Sequence, residues 1–295
     1  MEPTFKRIGV LAHPGRPQSA PVAERIATFL EAQGIESWMH ARWEEEDVIE
    51  QVAKSDMVIA IGGDGAMLRA ARVSAPLKVS VLGINMGQLG FLTEIGGPDS
   101  WEEPLKKVLK GDDCWIEERM MIQASLIRGN KVIETGDALN DVVISRGAAP
   151  RMIRLETYID KGWATTYNAD ALIIATATGS TAYALACGGP ILPPELRNIL
   201  IVPVAPHLSM DRPIVLSEGS TVEVIAAPHN TGDMSLTIDG AMTIPIESGD
   251  LVRVQASNHI SRFMRLRERN YFYRSLLDRL EPRMPPRFIP EKREI

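Results

Sequence analysis

The chain of 295 residues carries only two cysteines, Cys114 and Cys187. That is too few for a disulfide framework, and their spacing is not that of a metal site. A reducing cytoplasm is the expected compartment, and each thiol is expected as a small core residue. Positive charge is also short. There are 32 Lys and Arg against 38 Asp and Glu, a net charge of −6, where a nucleic-acid binder shows a basic face; no nucleic-acid partner is expected. The one late basic run, "SRFMRLRERNYFYR" from Ser261 to Arg274, reads as a solvated strand edge and helix start. A long apolar run is missing too. The uncharged stretch Ala171 to Pro194 is broken by Gly, Thr and Ser and closes on Pro193-Pro194, so it reads as a buried, tightly packed loop rather than a membrane helix, and no membrane partner is expected. The N-terminal apolar stretch ends at His13-Pro14, too short for a signal peptide. Two common phosphate motifs are absent as well: there is no G-x-x-x-x-G-K-[ST], and Gly63-x-Gly65 meets Leu68 where a dinucleotide fingerprint needs its third glycine.

Within the chain, two rhythms follow one another. Up to about residue 111, short apolar strands ("RIGVLA", "DMVIAI", "KVSVLGI") alternate with helical stripes ("PVAERIATFLEAQG", "EEEDVIEQVAKS", "AMLRAARVSA", "SWEEPLKKVLKG"). This alternation predicts an α/β unit, a parallel sheet with helices on both faces. From Trp115 onward the pattern is mostly short strands between turn residues. "ERMMIQASLIRGNKVIETG" reads as two strands about a Gly-Asn turn, and "ALNDVVIS", "RLETYIDKGWATTYNA", "NILIVPVA", "TVEVIAA", "MSLTID", "LVRVQAS" and "RFMRLR" follow. The second unit is expected as a β-rich, sandwich-like domain. The last helix, "YFYRSLLDRLE", is amphipathic and is expected to pack back on the first domain. The expected division is residues 1–115, rejoined by 266–295, and residues 116–265. The tail "PRMPPRFIPEKREI" is expected to be extended or disordered.

Chemistry concentrates at "VIAIGGDGAMLRAA", Val58 to Ala71. Gly62, Gly63 and Gly65 lie between a strand and a helix, where backbone N–H groups form an anion nest and glycine permits both a positive φ and close approach of phosphate oxygens. Asp64 among them costs Coulomb energy beside a phosphate. It is reasonable there as an N-cap, or as the base that takes a proton from a hydroxyl attacking phosphorus. "INMGQLGFLTEI" again follows a strand, and Phe91 and Leu92 offer apolar surface where α/β sheets bind ligands; Phe91 alone reads equally as a core aromatic. Asn140 and Asp141 form a polar pair in an apolar strand, suited to a base edge and a ribose diol or to a strand end. Thr178 to Thr181 enter a short helix, as cap hydroxyls or as ligands of ribose and base edges, with Tyr183 beside them.

Taken in order, "GGDG", "INMGQLGFLTEI", "ERMMIQA", "LNDVVISRG", "TATGSTAYALACGGPIL", "VPVAPHLSMDRPIVL", "LTIDG" and "FYRSLLDRL" make the sequence resemble the NAD kinases, which phosphorylate the 2′-hydroxyl of the adenosine-side ribose of NAD to make NADP. The resemblance implies Asp64 as catalytic base and Gly62, Gly63 and Gly65 around the ATP phosphates. It implies Leu68, Phe91 and Leu92 along the adenosine pocket, Asn140 on adenine and Asp141 on a ribose. Thr181, Ala182 and Tyr183 would line the adenine site, and Asp170 would reach the nicotinamide end from a neighbouring subunit. It further implies Mg²⁺ or another divalent cation, ATP or inorganic polyphosphate as donor, a cytoplasmic location, and a homodimer or homotetramer. The chain departs from the family pattern at Ala66, Asp141 (usually Glu), Ala171, Ala177 and Ala186, which bears on affinity and donor choice rather than on the reaction. Two other readings remain at this point: a lipid kinase of the diacylglycerol or sphingosine type, which shares GGDG, and an NAD(P)-binding regulator with weak catalysis.

Overall fold

The computed structural model describes residues 5–280 except 42, 44, 88, 89, 149, 150, 229 and 231. The tail beginning at Pro282 lies outside the described residues. The first unit runs β1 (Arg7–Leu11), α1 (Ser19–Ala32), β2 (Glu36–His40), α2 (Glu46–Ala53), β3 (Met57–Ile61), α3 (Asp64–Ser74), β4 (Ser80–Asn85), β5 (Ile95–Gly96) and α4 (Glu102–Lys110). Strands β2-β1-β3-β4 lie side by side and parallel. Every residue of β3 is buried, as expected of a strand covered on both faces. α1 and α4 bury Ile26, Leu30, Leu105 and Val108 on one face. α2 and α3 bury Val48, Val52, Met67 and Ala70 on the other. β2 has no counterpart in the sequence reading. It is an edge strand carrying Glu36, Ser37 and His40, so it shows no apolar run.

The second unit adds β6 (Trp115–Arg128), β7 (Lys131–Ala138), β8 (Asp141–Arg146), β9 (Ile153–Ile159), β10 (Gly162–Ala169), β11 (Ala171–Thr176), a 3-10 turn (Thr178–Thr181) and α5 (Tyr183–Ala186). Then come β12 (Asn198–Val204), β13 (Ile214–Ser217), β14 (Val222–Ala226), β15 (Met234–Ile238), β16 (Met242–Ile246), β17 (Leu251–Arg265) and α6 (Tyr271–Leu280). One antiparallel sheet has the order β13-β12-β11-β8-β15-β16. Its inner residues Val142, Ile144, Leu172 and Ile174 meet Ile122, Leu155, Val224 and Val252 from β6, β9, β14 and β17. These two layers are the expected sandwich. β11 is buried at every position, which explains why the stretch it opens carries no charge. No helix among the described residues is long and apolar enough to span a membrane. Cys114 and Cys187 are free and half-buried at the edges of cores rather than inside them.

The two units share one sheet, a feature the sequence did not suggest. "LVRVQAS" and "RFMRLR" are a single strand, β17, with an irregularity between Ala256 and Ile260. Its first half pairs antiparallel with β14 and its second half runs parallel to β4, while β6 pairs along both. A bulge bends a strand without ending it, so β17 serves both units.

Charged residues at this junction are buried, which corrects the reading of the late basic run as a solvated edge. Arg265 is 0 % exposed. Its Nε donates to Glu117 at 2.8 Å and its Nη1 to the Leu92 carbonyl at 2.7 Å and to Glu94 at 3.2 Å. Glu117 also accepts from Arg119 at 2.9 Å, and Glu94 accepts the backbone N–H groups of Leu266 and Arg267 at 2.9 and 2.7 Å. Arg265 and Arg267 stack over Tyr271 at the start of α6. Phe272 meets Phe91 with ring centroids 6.2 Å apart. Burial alone would push the Glu117 carboxyl up, but Arg265 and Arg119 more than offset it, and it lies below the usual carboxylate range. Removing one member of a buried ion pair leaves its partner charged and unpaired. Arg265→Ala is therefore expected to lower the unfolding free energy by about 3–5 kcal/mol, read by denaturant unfolding. A loss below about 1 kcal/mol, the range of an exposed pair, would contradict a structural role for this network.

Candidate active site

The glycine-rich turn is built as the sequence implies, with one correction. Gly63 is the N-cap of α3, at φ −92° and ψ −165°, and Asp64 is the first helical residue. Its carboxylate makes no capping bond. It reaches across to the loop after β4, accepting the backbone N–H of Phe91 and of Leu92, each at 2.9 Å. The loop is locked in turn: Gly90 donates to Thr93 Oγ1 at 2.7 Å, and Asn85 Nδ2 donates to the same oxygen at 3.2 Å. Gly90 is required by contact, since a Cβ there would sit 1.8 Å from an Asp64 oxygen. Of the three glycines beside Asp64, only Gly62 has a positive φ, +155°. A Cβ on Gly63 or Gly65 would meet nothing within 4 Å, so those two leave an open surface at the helix N-terminus. Each carboxylate oxygen of Asp64 still has a lone pair left for a ligand.

Asp64 lines a cleft of about 160 Å³ between the units, together with Phe91, Leu92, Arg119, Asn140 and Phe272. Thr178, Thr181 and Ala182 complete its second wall. A second cleft of about 440 Å³ adjoins it, sharing Asn140 and Ala182 and adding Leu68, Asp141, Tyr183 and Asp239. Leu68 lines the second cleft while Phe91 and Leu92 line the first, and Leu68 packs against the apolar cluster that contains Leu92. Tyr183 is 45 % exposed, an open aromatic face. Gly62, Gly63 and Gly65 form the turn beside the first cleft. Asp170 is not among the residues lining either cleft, but it stands at the Ser145 end of the second one: its neighbour Ala171 pairs with Ser145, and, after burial, its charge helps raise the Tyr183 phenol. Asp170 precedes β11, whose other end leads to Thr178, and it pairs with Arg146 at 2.8 Å.

Asn140 immediately precedes β8 and Asp141 is its first residue. Asn140 is held close to the 3-10 turn, for a Cβ on Gly179 would lie 2.1 Å from the Asn140 carbonyl oxygen. Thr176 Oγ1 donates to the Leu139 carbonyl at 2.5 Å and accepts from Gly179 N–H at 3.1 Å. The pair rests on Asp239, a residue to which sequence reasoning assigned no role. Asp239 accepts the N–H groups of Leu139, Asn140 and Asp141 at 2.8, 2.8 and 3.1 Å, from a backbone with φ +47°. Its only sequence signal is Asp239-Gly240 between two short strands, which reads as a hairpin turn. Arg119 was missed as well: it is buried and donates to Thr178 Oγ1 at 3.0 Å.

Two carboxyls so near each other do not both ionise freely. Burial, then the charge of Asp239, pushes the Asp141 carboxyl up to about 7. Burial also raises Asp239, although its three backbone donors and Arg72 favour the charged form. The two carboxyls titrate as one coupled pair. Among the described residues the grouping with metal-ligand potential is His40, Glu45 and Asp47, and none of these lines either cleft.

Residues 35–113 match the model of the ATP-NAD kinase N-terminal domain, and residues 139–266 that of the ATP-NAD kinase C-terminal domain. The chain is 35 % identical over 278 residues to an NAD kinase of Dehalococcoides mccartyi, covering 94 % of this chain and 96 % of that one. It is 38 % identical to NAD kinases of Geotalea daltonii, covering 91 % and 96 % of the two chains, and of Chloroflexus aurantiacus, covering 94 % and 99 %. Its fold matches yeast NADH kinase complexed with NADH, with a TM-score of 0.81 at 22 % identity over 96 % of this chain and 90 % of that one. It also matches an NAD kinase from Archaeoglobus fulgidus in complex with ATP, with a TM-score of 0.72 at 24 % identity over 92 % and 97 %. Over nearly its whole length, in both domains and in the order of its motifs, the chain belongs to the NAD kinase family.

Proposed function

We propose that the Asp64 cleft is where this chain carries out the family's reaction. The 2′-hydroxyl of the adenosine-side ribose of NAD attacks the γ-phosphorus of ATP, its proton passes to Asp64, and the products are NADP and ADP. One observation carries this reading: a carboxylate at a helix N-terminus whose own helix does not use it, aimed by two backbone donors into a cleft. A base must be held within hydrogen-bond reach of its proton, and Phe91 and Leu92 supply that constraint. The donor's phosphates belong at the Gly62–Gly63 turn and the exposed Gly65, where helix N–H groups favour anions. NAD spans the two joined clefts. Asn140 and Asp141 contact its adenine and ribose, Thr181, Ala182 and Tyr183 form the wall, and Leu68, Phe91 and Leu92 supply apolar surface.

On this reading residues 1–115 hold donor and base, and residues 116–265 hold NAD. A divalent cation such as Mg²⁺ fits the donor set. Among the described residues Asp64 is the one carboxylate lining the first cleft, and Mg²⁺ is commonly bound by one or two carboxylates plus substrate phosphates. When bound it would neutralise charge on the phosphates, with Asp64 as its protein ligand. Inorganic polyphosphate presents the same groups to the turn and is the second donor to test. Asp170 serves the nicotinamide end of a neighbouring subunit's site in a homodimer or homotetramer. β11, six residues long and therefore about 20 Å, separates it from Thr178 and the Asp64 cleft of its own chain. Free thiols at Cys114 and Cys187 are consistent with a cytoplasmic location.

Asp64→Asn is expected to keep the fold and NAD binding while lowering kcat by on the order of 10² or more, measured by NADP formation from ATP, Mg²⁺ and NAD. Normal turnover by the folded variant would refute the base assignment. Sharing of the site across subunits makes activity fall with dilution in parallel with dissociation seen by sedimentation; a fully active monomer would refute it. For Asp141 the sign follows from its raised carboxyl. A ribose diol donates to a carboxylate, so NAD favours the ionised form and drives off the proton held near pH 7. Calorimetry of NAD binding at pH 6.5 in buffers of different ionisation enthalpy is expected to show proton release, lost in Asp141→Asn. The unliganded fold behaves conversely: a raised acid contributes stability below its unfolded value near 4 that is lost as pH rises through 7. Pure NAD binding with no proton release would show that Asp141 does not meet the ribose.

A further inference from the structure

Beside the Gly62–Gly63 turn stands a side chain with no role assigned so far. His13 follows β1. The strand order reverses between β1 and β3, since β2 lies beyond β1 and β4 beyond β3. Open α/β sheets bind ligands in the crevice at such a point. Here the His13 ring and the Gly62 turn meet at that point.

The imidazole is held in one orientation. The Gly15 N–H donates to His13 Nδ1 at 3.0 Å, and the backbone N–H of His13 donates to Ser19 Oγ at 2.8 Å. Trp43, anchored by a 2.6 Å bond from its Nε1 to the Ala12 carbonyl, lies edge-on to the ring with centroids 6.5 Å apart. The Cδ2 edge faces the turn, where a Cβ on Gly62 would sit 3.1 Å from Cδ2. Because Nδ1 is an acceptor, the neutral ring carries its proton on Nε2, the atom bonded to Cδ2. No described residue accepts that proton. Burial, then the charges of Arg16 and Arg69, lowers the ring's pKa, so it is a neutral donor at pH 7 in a positive field.

We propose that His13 binds the phosphoryl donor, its Nε2–H donating to a non-bridging oxygen of the phosphate chain seated at the Gly62–Gly63 turn. This rests on the placement of the donor proposed above. The contact is to phosphate and not to the nucleoside, so it acts alike on ATP and on inorganic tripolyphosphate, and it leaves NAD untouched.

Two variants of the full chain separate the ring's two nitrogens. In His13→Asn, Oδ1 can keep the bond from Gly15 while the Nε2 donor is gone. In His13→Gln, the amide brings a donor back near the Nε2 position. His13→Asn is expected to raise KM for ATP, and to weaken tripolyphosphate binding by calorimetry, roughly two- to tenfold, the span of one neutral hydrogen bond. KM for NAD stays within about twofold, within the noise of a lost remote contact, and His13→Gln recovers most of the loss. In the unmodified protein, saturating tripolyphosphate is expected to shift the His13 Nε2 resonance in ¹⁵N spectra and leave Nδ1 in place. An unmoved Nε2 resonance, or a folded His13→Asn protein with unchanged ATP and tripolyphosphate constants, overturns the proposal. So does a rise in KM for NAD alone. If the unmodified protein makes no NADP from ATP and NAD, the reading of the whole cleft fails. If it makes NADP and only the His13 results are negative, this contact alone is wrong.

Discussion

Arg265 is the residue on which the geometry of the site depends. A fully buried guanidinium is costly unless every side is answered. Glu117, Glu94 and the Leu92 carbonyl answer it from two parts of the chain: β6 and the loop just before β5. The consequence reaches Asp64 through a single residue. Leu92 offers its carbonyl to Arg265 and its N–H to Asp64. The carboxylate is therefore oriented by a loop that the interdomain network holds still. The apolar sandwich stabilises the fold, while this polar junction sets the distance between its halves.

The same economy appears on the other wall. Asp239 spends its carboxylate on three successive N–H groups of Leu139, Asn140 and Asp141, which turns the chain sharply into β8 and presents two polar side chains to the cleft. That arrangement has an electrostatic cost, a second carboxyl beside the first, which Asp141 meets by keeping its proton up to about pH 7. Asp141 stays close to Asp239 and buried, at 7 % exposure. A group in that position responds to whatever hydrogen-bond donor enters, which suits recognition of a ribose diol.

Much of the fold was legible because short buried strands and amphipathic helices leave periodic marks. The uncharged stretch from Ala171, read as a packed loop, is buried but opens as a strand, and the α/β alternation and the Gly129-Asn130 hairpin appear where the sequence puts them. β2 did not, since an edge strand has no reason to be apolar. Nor did the continuity of β17, because a bulge interrupts the alternation that would reveal one strand. The late basic run misled for a different reason: whether an arginine is solvated depends on which carboxylates reach it, and Glu94 and Glu117 lie far away in sequence.

The sequence by itself determined which residues could do the chemistry. A carboxylate among glycines after a buried strand, and an amide-carboxyl pair opening another, are local facts of composition and spacing, and their order along the chain identifies the family. The tertiary structure alone decided what those groups face. It showed that Asp64 is held by Phe91 and Leu92 instead of capping its helix, that Asp170 lies across β11 from Thr178, that Asp239 and Arg119 line the clefts, and that His13 lies against the Gly62 turn. The reason is physical: backbone propensity acts over a few residues, but a buried polar group takes its partner from anywhere in the chain that folding brings within 3 Å or so.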